Sequence, residues 1–494
     1  MIKELLIREK YQERQIALLE DGKLAEYYTE NPLRKSIVGN IYKAKIDKVM
    51  EGVSCCFVNI EKNEHAYLYV KEVIIPALRF SKGSLLKTTA DGEKDRSRGI
   101  SPLSLLKEGN YLIVQGKRDQ FGRKHPKVSC KINLPGKNLI YLPFNHIIAL
   151  SKKIRDDDAR RRLKILGKKM KSHDGFIFRT SAQHADDSTL MQEVEQLKKI
   201  WFETTHKFLT QSSHGVLYQA PSIFFNLLDD LHSEQNLKSI KTNSIEIYKE
   251  IMLYCKYNFP GLTHKVNLST EQDLFEVYGI NAELSKVLQS QIWLKSGGHL
   301  VFNQTEALTS IDVNTGKFEG KKNSADSMLA INMESVKEAC RQIRIRNISG
   351  IIIVDFIPMA IESQYNALFD ALAREVKKDS AKIKISKNEN SSLVTIVRKK
   401  LREPLTALFT TRCPYCKGYG YIKSAITVCR EILDELNSKS KMHKVITVAG
   451  HPTIISTLSA LYKSSIDSLQ SQNNVIITLI ANTKLHFTRY EIIV

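Results

Sequence analysis

Two short apolar runs, Leu308 to Val313 and Ile351 to Phe356, constrain the fold most. Each reads as a strand, and an amphipathic stretch, Ser335 to Arg346, lies between them. Between Gln291 and Val397 strands alternate with helices, which is α/β texture: a sheet covered by the helices that connect it. The near-continuous run Ile351 to Val354 reads as a strand buried on both faces. Each run carries one acid, Asp312 and Asp355. A carboxylate in such a strand is costly unless it is hydrogen-bonded or binds a cation. Asp312 and Asn314 alternate onto one strand face. Two aspartates at strand ends of one sheet can hold Mg²⁺, which takes one or two carboxylates and keeps its waters. Such an ion can orient a phosphate and activate a water. The plainer alternatives are a helix N-cap for Asp355 and a turn position for Asp312.

The rest of the chain reads as several domains. Residues 1–30 look like strands joined by a polar turn, with Glu20-Asp21-Gly22-Lys23 as the hairpin signal. From Val38 the texture is dense β: Gly39 to Ile46, Val53 to Ile60, Ala66 to Val70 and Tyr111 to Gln115. A polar stretch from Ser81 to Gly99 interrupts it and reads as a solvated loop. Short strands with one long loop suit a small OB-type barrel. Residues 151–172 are helical and very basic, through Arg160, Arg161, Arg162, Lys164, Lys168, Lys169 and Lys171. Residues 185–213 and 221–257 are helix-patterned as well. A smaller α/β segment follows Gly420.

The formal net charge of the 494 residues is +21. A surface that basic is a footprint for a polyanion, and nucleic acid is the usual one; the bland alternative is a lysine-rich genome bias. No run approaches the roughly 18 apolar residues of a membrane span. The first residues lack a signal-peptide h-region. Eight cysteines in so long a chain are no disulfide framework, so a reducing compartment is expected.

Three further constellations carry chemistry. Cys413-Pro414-Tyr415-Cys416-Lys417-Gly418-Tyr419-Gly420 has zinc-knuckle spacing, in which glycines permit the tight turn. A structural zinc needs four ligands, and no second such pair exists, so a second copy of the chain would complete the site about a two-fold axis. A redox pair or an empty knuckle is the alternative. Cys55, Cys56, Cys130, Cys255, Cys340 and Cys429 read as small buried hydrophobes. On the barrel, Phe57, Tyr67 and Tyr69 can stack unpaired bases; core packing is the alternative, more so for Tyr69 than for Tyr67. Arg179-Thr180, after Gly175-Phe176-Ile177-Phe178, can grip a phosphate, or be an ordinary surface pair.

Taken together these segments resemble the ribonuclease E/G family, over nearly the whole chain and in a form limited to the catalytic domains. The most specific stretches are Gly297-Gly298-His299-Leu300-Val301-Phe302-Asn303-Gln304-Thr305-Glu306-Ala307-Leu308 through Gly316, then Val354-Asp355-Phe356-Ile357, then Cys413 to Gly420. The resemblance implies an endoribonuclease of RNA processing and decay that hydrolyses single-stranded RNA with Mg²⁺ and favours 5′-monophosphorylated ends. It implies catalytic, Mg²⁺-binding roles for Asp312 and Asp355 with Asn314 in support. It implies a Zn²⁺ shared between subunits by Cys413 and Cys416, and a homodimer or homotetramer. Phe57, Tyr67, Arg118 and Lys127 are the implied RNA contacts, and Arg179, Thr180 and Val128 the implied 5′-phosphate sensor.

The implied fold is multidomain α/β and α+β. It has an RNase H-like fold in two parts (1–35 and 215–280), an inserted OB barrel or S1 motif (36–130) and a 5′ sensor region (131–214). A DNase I-like catalytic domain (281–402), a zinc link (403–420) and a small dimerisation domain (421–494) follow. The sequence departs from the family pattern at His125, where a glycine is usual, at Pro358, often an aspartate, at Thr395, usually a glutamate, and at Asn388 to Ser391, in place of a Phe-Gly turn. These departures leave a second expectation open, a catalytically weak RNA-binding dimer that protects or presents transcripts. No scaffold tail for partner enzymes and no membrane span are expected, and the location expected is a bacterial cytoplasm or a plastid stroma.

Overall fold

The computed structural model describes residues 1–31, 36–61, 64–74, 77, 106–120, 125–152, 154–170, 174–231, 236–316, 325–387, 392–400 and 402–494. The loop expected at Ser81 to Gly99, the stretch Gly122 to Lys124 and the departure at Asn388 to Ser391 lie outside the described residues. The chain forms two compact units, Met1–Leu408 and Phe409–Val494.

The first unit opens with a meander of β1 (Lys3–Lys10), β2 (Glu13–Glu20) and β3 (Lys23–Glu30). Asp21 and Gly22 turn the second hairpin with φ of 48° and 77°, the left-handed pair that a tight hairpin requires. The first hairpin turns at Tyr11 and Gln12, with φ of 53° and 63°. Neither residue is a turn former, so a single turn was expected where two occur.

A closed barrel follows: β4 (Ile41–Met50), β5 (Cys55–Glu61), β6 (Glu64–Tyr69), β7 (Tyr111–Arg118) and β8 (Lys127–Ser129). The order is β4-β5-β6-β8-β7, and β7 pairs back onto β4, so this OB-like barrel leaves no free edge. Alternate residues such as Ala44, Val58, Leu68, Val114 and Val128 fill it. Their core continues into a four-stranded sheet, β9 (Leu134–Pro135), β10 (Leu139–Leu142), β11 (Ile148–Leu150) and β12 (Gly175–Phe178), and into helices α1 (Asp157–Lys169) and α2 (Asp187–Thr210). Asp156 and Asp186 cap these helices by accepting first-turn N–H groups. On α1, Leu163 and Leu166 are buried while Arg161, Lys164, Lys168 and Lys169 stay in solvent.

After β13 (Gly215–Tyr218), which adds to β4, the chain forms α3 (Ile223–Leu231), β14 (Leu237–Thr242), α4 (Ile245–Asn258) and β15 (Val266–Leu268). The helical pattern expected over 221–257 is thus broken by a strand. β14 lies between β1 and β15, parallel to both, and its apolar Leu237 and Ile240 fit a helix face as readily as a strand. One five-stranded sheet, β15-β14-β1-β2-β3, joins the first residues to this later segment.

The last sheet of this unit has the order β16-β17-β18-β19-β21-β20. Its strands are β16 (Gln291–Trp293), β17 (His299–Gln304), β18 (Leu308–Asn314), β19 (Gly350–Asp355), β20 (Ile383–Lys387) and β21 (Leu393–Arg398). α5 (Ala325–Ile345) crosses from β18 to its parallel neighbour β19, and α6 (Glu362–Glu375) follows. Ile311, Val313, Ile352, Val354 and Ile396 pack with Ile331, Val336 and Ala339 of α5 and Leu368 and Leu372 of α6. The opposite face is open: Ile351 is 45% exposed and Val397 44%. The expectation that Ile351 to Val354 is buried on both faces is therefore corrected. Among the described residues helices cover one side only, so burial alternates along β19 and Asp355 stands in solvent.

The second unit is a three-stranded sheet, β23 (Ile476–Ala481), β22 (Val445–Gly450) and β24 (Tyr490–Ile493), with helices Ala425–Lys439, Pro452–Leu461 and Lys463–Asn473. Among the described residues no helix is long and apolar enough to cross a membrane.

Candidate active site and nucleic-acid surfaces

The parallel register of β18 and β19 sets Asp312 directly opposite Asp355. Partners in register share a face, and this face is the open one; both aspartates are exposed. The plainer alternatives fail on position. Asp312 lies inside β18, and Asp355 ends β19 well before α6, whose N-cap is Ile361. Asn314 Nδ2 donates to Asp312 Oδ2 at 2.8 Å, and Ser392 Oγ donates to Asp355 Oδ1 at 2.8 Å. Each bond takes one of two acceptor oxygens, so the bonds aim the carboxylates without consuming them.

The strand ends are held from behind. Asn332 on α5 is fully buried; its Nδ2 donates to Ile357 O at 2.9 Å and its Oδ1 accepts from Ile357 N at 3.0 Å. That clamp fixes the backbone two residues past Asp355. Beyond β18 the chain turns at Gly316 with φ of 58°, where a Cβ would fall 2.3 Å from Gly297 O; only glycine fits there. Sequence reading missed Asn332 and Ser392. Asn332 hides in a helical pattern, and Ser392 sits in a featureless polar run. Of the departures, Thr395 pairs with Ile353 on the open face, and Pro358 is exposed.

The donor set fits magnesium. Among the described residues no three His, Cys, Asp or Glu side chains converge as a metal cage, but Mg²⁺ is ordinarily held by one or two carboxylates with waters completing its shell. Asp312 and Asp355, with Asn314 beside them, offer that set.

The barrel surface is built differently. In register across β5, β6, β8 and β7 stand Phe57, Tyr67, Lys127 and Arg118, all half-buried. Phe57 meets Tyr67 edge-on at 5.7 Å, and His125 meets Phe57 at 5.4 Å, so His125 joins this row. Tyr67 packs on Tyr69 at 4.4 Å, and the ammonium groups of Lys71 and Lys127 each lie 5.2 Å from the Tyr69 ring. Tyr69 is 37% exposed, which corrects the expectation that it, rather than Tyr67, is the core residue. Both share a face, and Tyr69 occupies the strand end. Lys127 also pairs with Glu72 at 3.3 Å, and Arg118 Nε is buried with no partner among the described residues.

Arg179 donates to Gly136 O at 2.8 Å and to Asp230 Oδ1 at 2.9 Å. Thr180 Oγ1 shares a hydrogen bond with Ser151 Oγ at 3.1 Å. Val128 is fully buried in the barrel, so its side chain is unavailable to a ligand and its main chain alone remains for any sensor role.

In the second unit Cys413 is exposed and Cys416 partly so, while the other cysteines are buried, as expected. Gly420 N donates to Cys416 Sγ at 3.3 Å. That N–H, with the one of Gly418 and the neighbouring Cys413, holds the Cys416 thiol below its ordinary pKa, which favours the thiolate that binds metal. Lys417, Gly418 and Gly420 all have positive φ, the tight knuckle expected. The pair fits half of a tetrahedral zinc site. Tyr415 is held to the body of this unit: His486 Nε2 lies 2.8 Å from Tyr415 O, and the two rings stack at 3.9 Å.

Residues 133–401 match the model of the ribonuclease E/G family. Ribonuclease G of Haemophilus influenzae is 32% identical over 435 residues, covering 88% of this chain and 87% of that protein. Ribonuclease G of Escherichia coli K12 is 30% identical over 439 residues, 88% of each. Ribonuclease E of Synechocystis is 26% identical over 425 residues, 83% of this chain but 60% of the longer relative. A likeness of that extent, spanning the aspartate-bearing sheet, assigns the chain: it belongs to the ribonuclease E/G family.

Proposed function

We propose that the chain is an endoribonuclease that hydrolyses phosphodiester bonds of single-stranded RNA at Asp312 and Asp355 in a magnesium-dependent reaction. The observation that carries this reading is the in-register aspartate pair on an open sheet face, each carboxylate aimed by its own donor. When bound, a magnesium ion supplies positive charge toward a phosphoryl group and lowers the pKa of a water it holds. Asp312 and Asp355 would hold that ion; Asn314 and Ser392 keep the carboxylates oriented; the Asn332 clamp keeps Asp355 in place. The aromatic and cationic row Phe57, Tyr67, Lys127 and Arg118 would bind the unpaired strand, by stacking and by charge. Arg179 and Thr180 would read a 5′ monophosphate, with the phosphate replacing Asp230 as the partner of Arg179.

In this reading the sheet made by β1–β3 with β14 and β15 is the RNase H-like part, the sheet bearing the aspartates is the DNase I-like part, and Cys413 and Cys416 form a zinc link between two subunits. Cleavage of 5′-monophosphorylated RNA with added Mg²⁺ tests the activity, and a protein that binds RNA without cutting it at any Mg²⁺ concentration refutes it. Elemental analysis tests the link: one zinc per two chains is expected, and one per chain refutes sharing.

A further inference from the structure

The open face that carries the aspartates also carries an aromatic pair. Trp293 ends β16 and pairs in register with His299 of β17, which pairs with Asn314 of β18. All three therefore share the face of Asp312. The Trp293 and His299 rings lie 5.0 Å apart at 50°. His299 is wedged in place: its Nδ1 is buried with no hydrogen-bond partner among the described residues, and a Cβ on Gly316 would approach it to 3.2 Å. Trp293, by contrast, is 57% exposed. An indole is a large apolar surface to leave in water. The sheet's other large aromatic, Phe302, points to the helix side and is buried. Trp293 stands two strands across from Asn314, about 10 Å at ordinary strand spacing, and so about 12 Å from Asp312, two residues back along β18.

We infer that Trp293, backed by His299, is a stacking subsite for one unpaired base of the RNA, next to the bond held at Asp312 and Asp355. The inference rests on reading that pair as the cleavage site. Continuity of the face identifies the occupant: a strand whose phosphate reaches the aspartates lays its neighbouring nucleotides across β17 and β16. A ring offers the same surface to every base, so the subsite positions the strand without choosing a sequence. The barrel row would then grip the strand at a distance, and Trp293 would fix its register at the cut.

The chain has two tryptophans, which gives a direct test. Trp201 packs edge-on against Phe144 at 5.2 Å. In a Trp201→Phe protein all indole emission comes from Trp293, and a second substitution, Asp312→Asn, keeps the RNA intact during titration. Single-stranded oligonucleotide should quench that emission in step with the anisotropy of a labelled RNA. In the otherwise unaltered enzyme, an abasic residue at one position beside the cut should lower cleavage about tenfold, the scale of one lost stacked base. Trp293→Ala should lower cleavage of the intact RNA equally and be indifferent to the abasic residue, while Trp293→Phe should keep most of the effect. The subsite is refuted if saturating RNA leaves Trp293 emission and its accessibility to iodide unchanged, or if Trp293→Ala still responds to the abasic residue. Rapid cutting by the Asp312→Asn protein would instead refute the cleavage-site reading, and the quenching would then be read without added Mg²⁺, so that intact RNA still tests Trp293.

Discussion

The aspartate pair and the barrel row are both built across hydrogen-bonded strands, yet their chemistry is opposite. Across β18 and β19 stand two acids, each held by a short polar donor. Across β5 to β7 stand an aromatic pair and two cations. A polyanion is drawn to the second and repelled by the first. The acidic site therefore needs a cation before a phosphate can sit there, whereas the basic row needs none. In the proposed reading, holding the strand and cutting it fall on surfaces that can be altered separately.

The largest expected effect separates them. Asp312→Asn or Asp355→Asn should lower the cleavage rate by more than about a hundredfold, the scale of losing one preorganised electrostatic contact. RNA affinity should hold or rise, because a negative charge is gone. Parallel cleavage and binding assays check this; near-normal cutting at saturating Mg²⁺ would end the assignment. Phe57→Ala is the converse. It should cost about 1–3 kcal/mol of affinity while leaving the rate at saturating RNA nearly intact. Affinity should also fall steeply with salt as counterions are released; a flat salt dependence would remove the barrel as the RNA platform. Ser392→Ala should act on the acidic side more gently, lowering cleavage several-fold through a lost hydrogen bond of about 1 kcal/mol, with a raised Mg²⁺ requirement as its signature. Unchanged Mg²⁺ dependence would make Ser392 incidental. Arg179→Ala should narrow the preference for 5′-monophosphorylated over triphosphorylated RNA by about tenfold or less. Equal rates on both substrates in the unaltered protein would mean that Arg179 serves only its contacts with Gly136 and Asp230.

The smallest effect is one of pH. Burial pushes the Lys117 ammonium down to about 8. Its folded value lies below its unfolded one, so the unfolded chain holds more protons between about pH 8 and the ordinary lysine range, and stability rises with pH across that window. Lys117→Met should flatten the rise and raise stability at neutral pH. Urea midpoints near neutrality and at about pH 9 check the sign.

How legible each region was follows from its physics. Asp312 and Asp355 stood out because β-branched runs announce strands and an acid interrupts each. That the acids are exposed did not, since an apolar run does not say whether helices cover one face or both. Ser392 and Asn332 act through single hydrogen bonds fixed by tertiary packing, which leave no period in the sequence. β14 was lost between two helices because its few apolar residues satisfy either period. Tyr67 and Tyr69 alternate identically, and the position of Tyr69 at a strand end decides its exposure. The cysteine turn was legible because its spacing and its glycines are both local.

The pairing of β1 with β14 has a consequence for the chain as it is made. Lys3 finds its partner Leu237 only after the intervening segment has left the ribosome, some tens of seconds later at about 5–20 residues per second. Until then the nascent meander carries an unmatched edge through Leu5, Leu6 and Ile7, apolar residues that end fully buried. The barrel needs no residue beyond Ser129 to close, so it can finish while that edge waits. Synthesis order thus leaves β1, made before every other strand of its sheet, among the last to be secured, and an unguarded edge of this kind is where a slowed ribosome would invite misassembly.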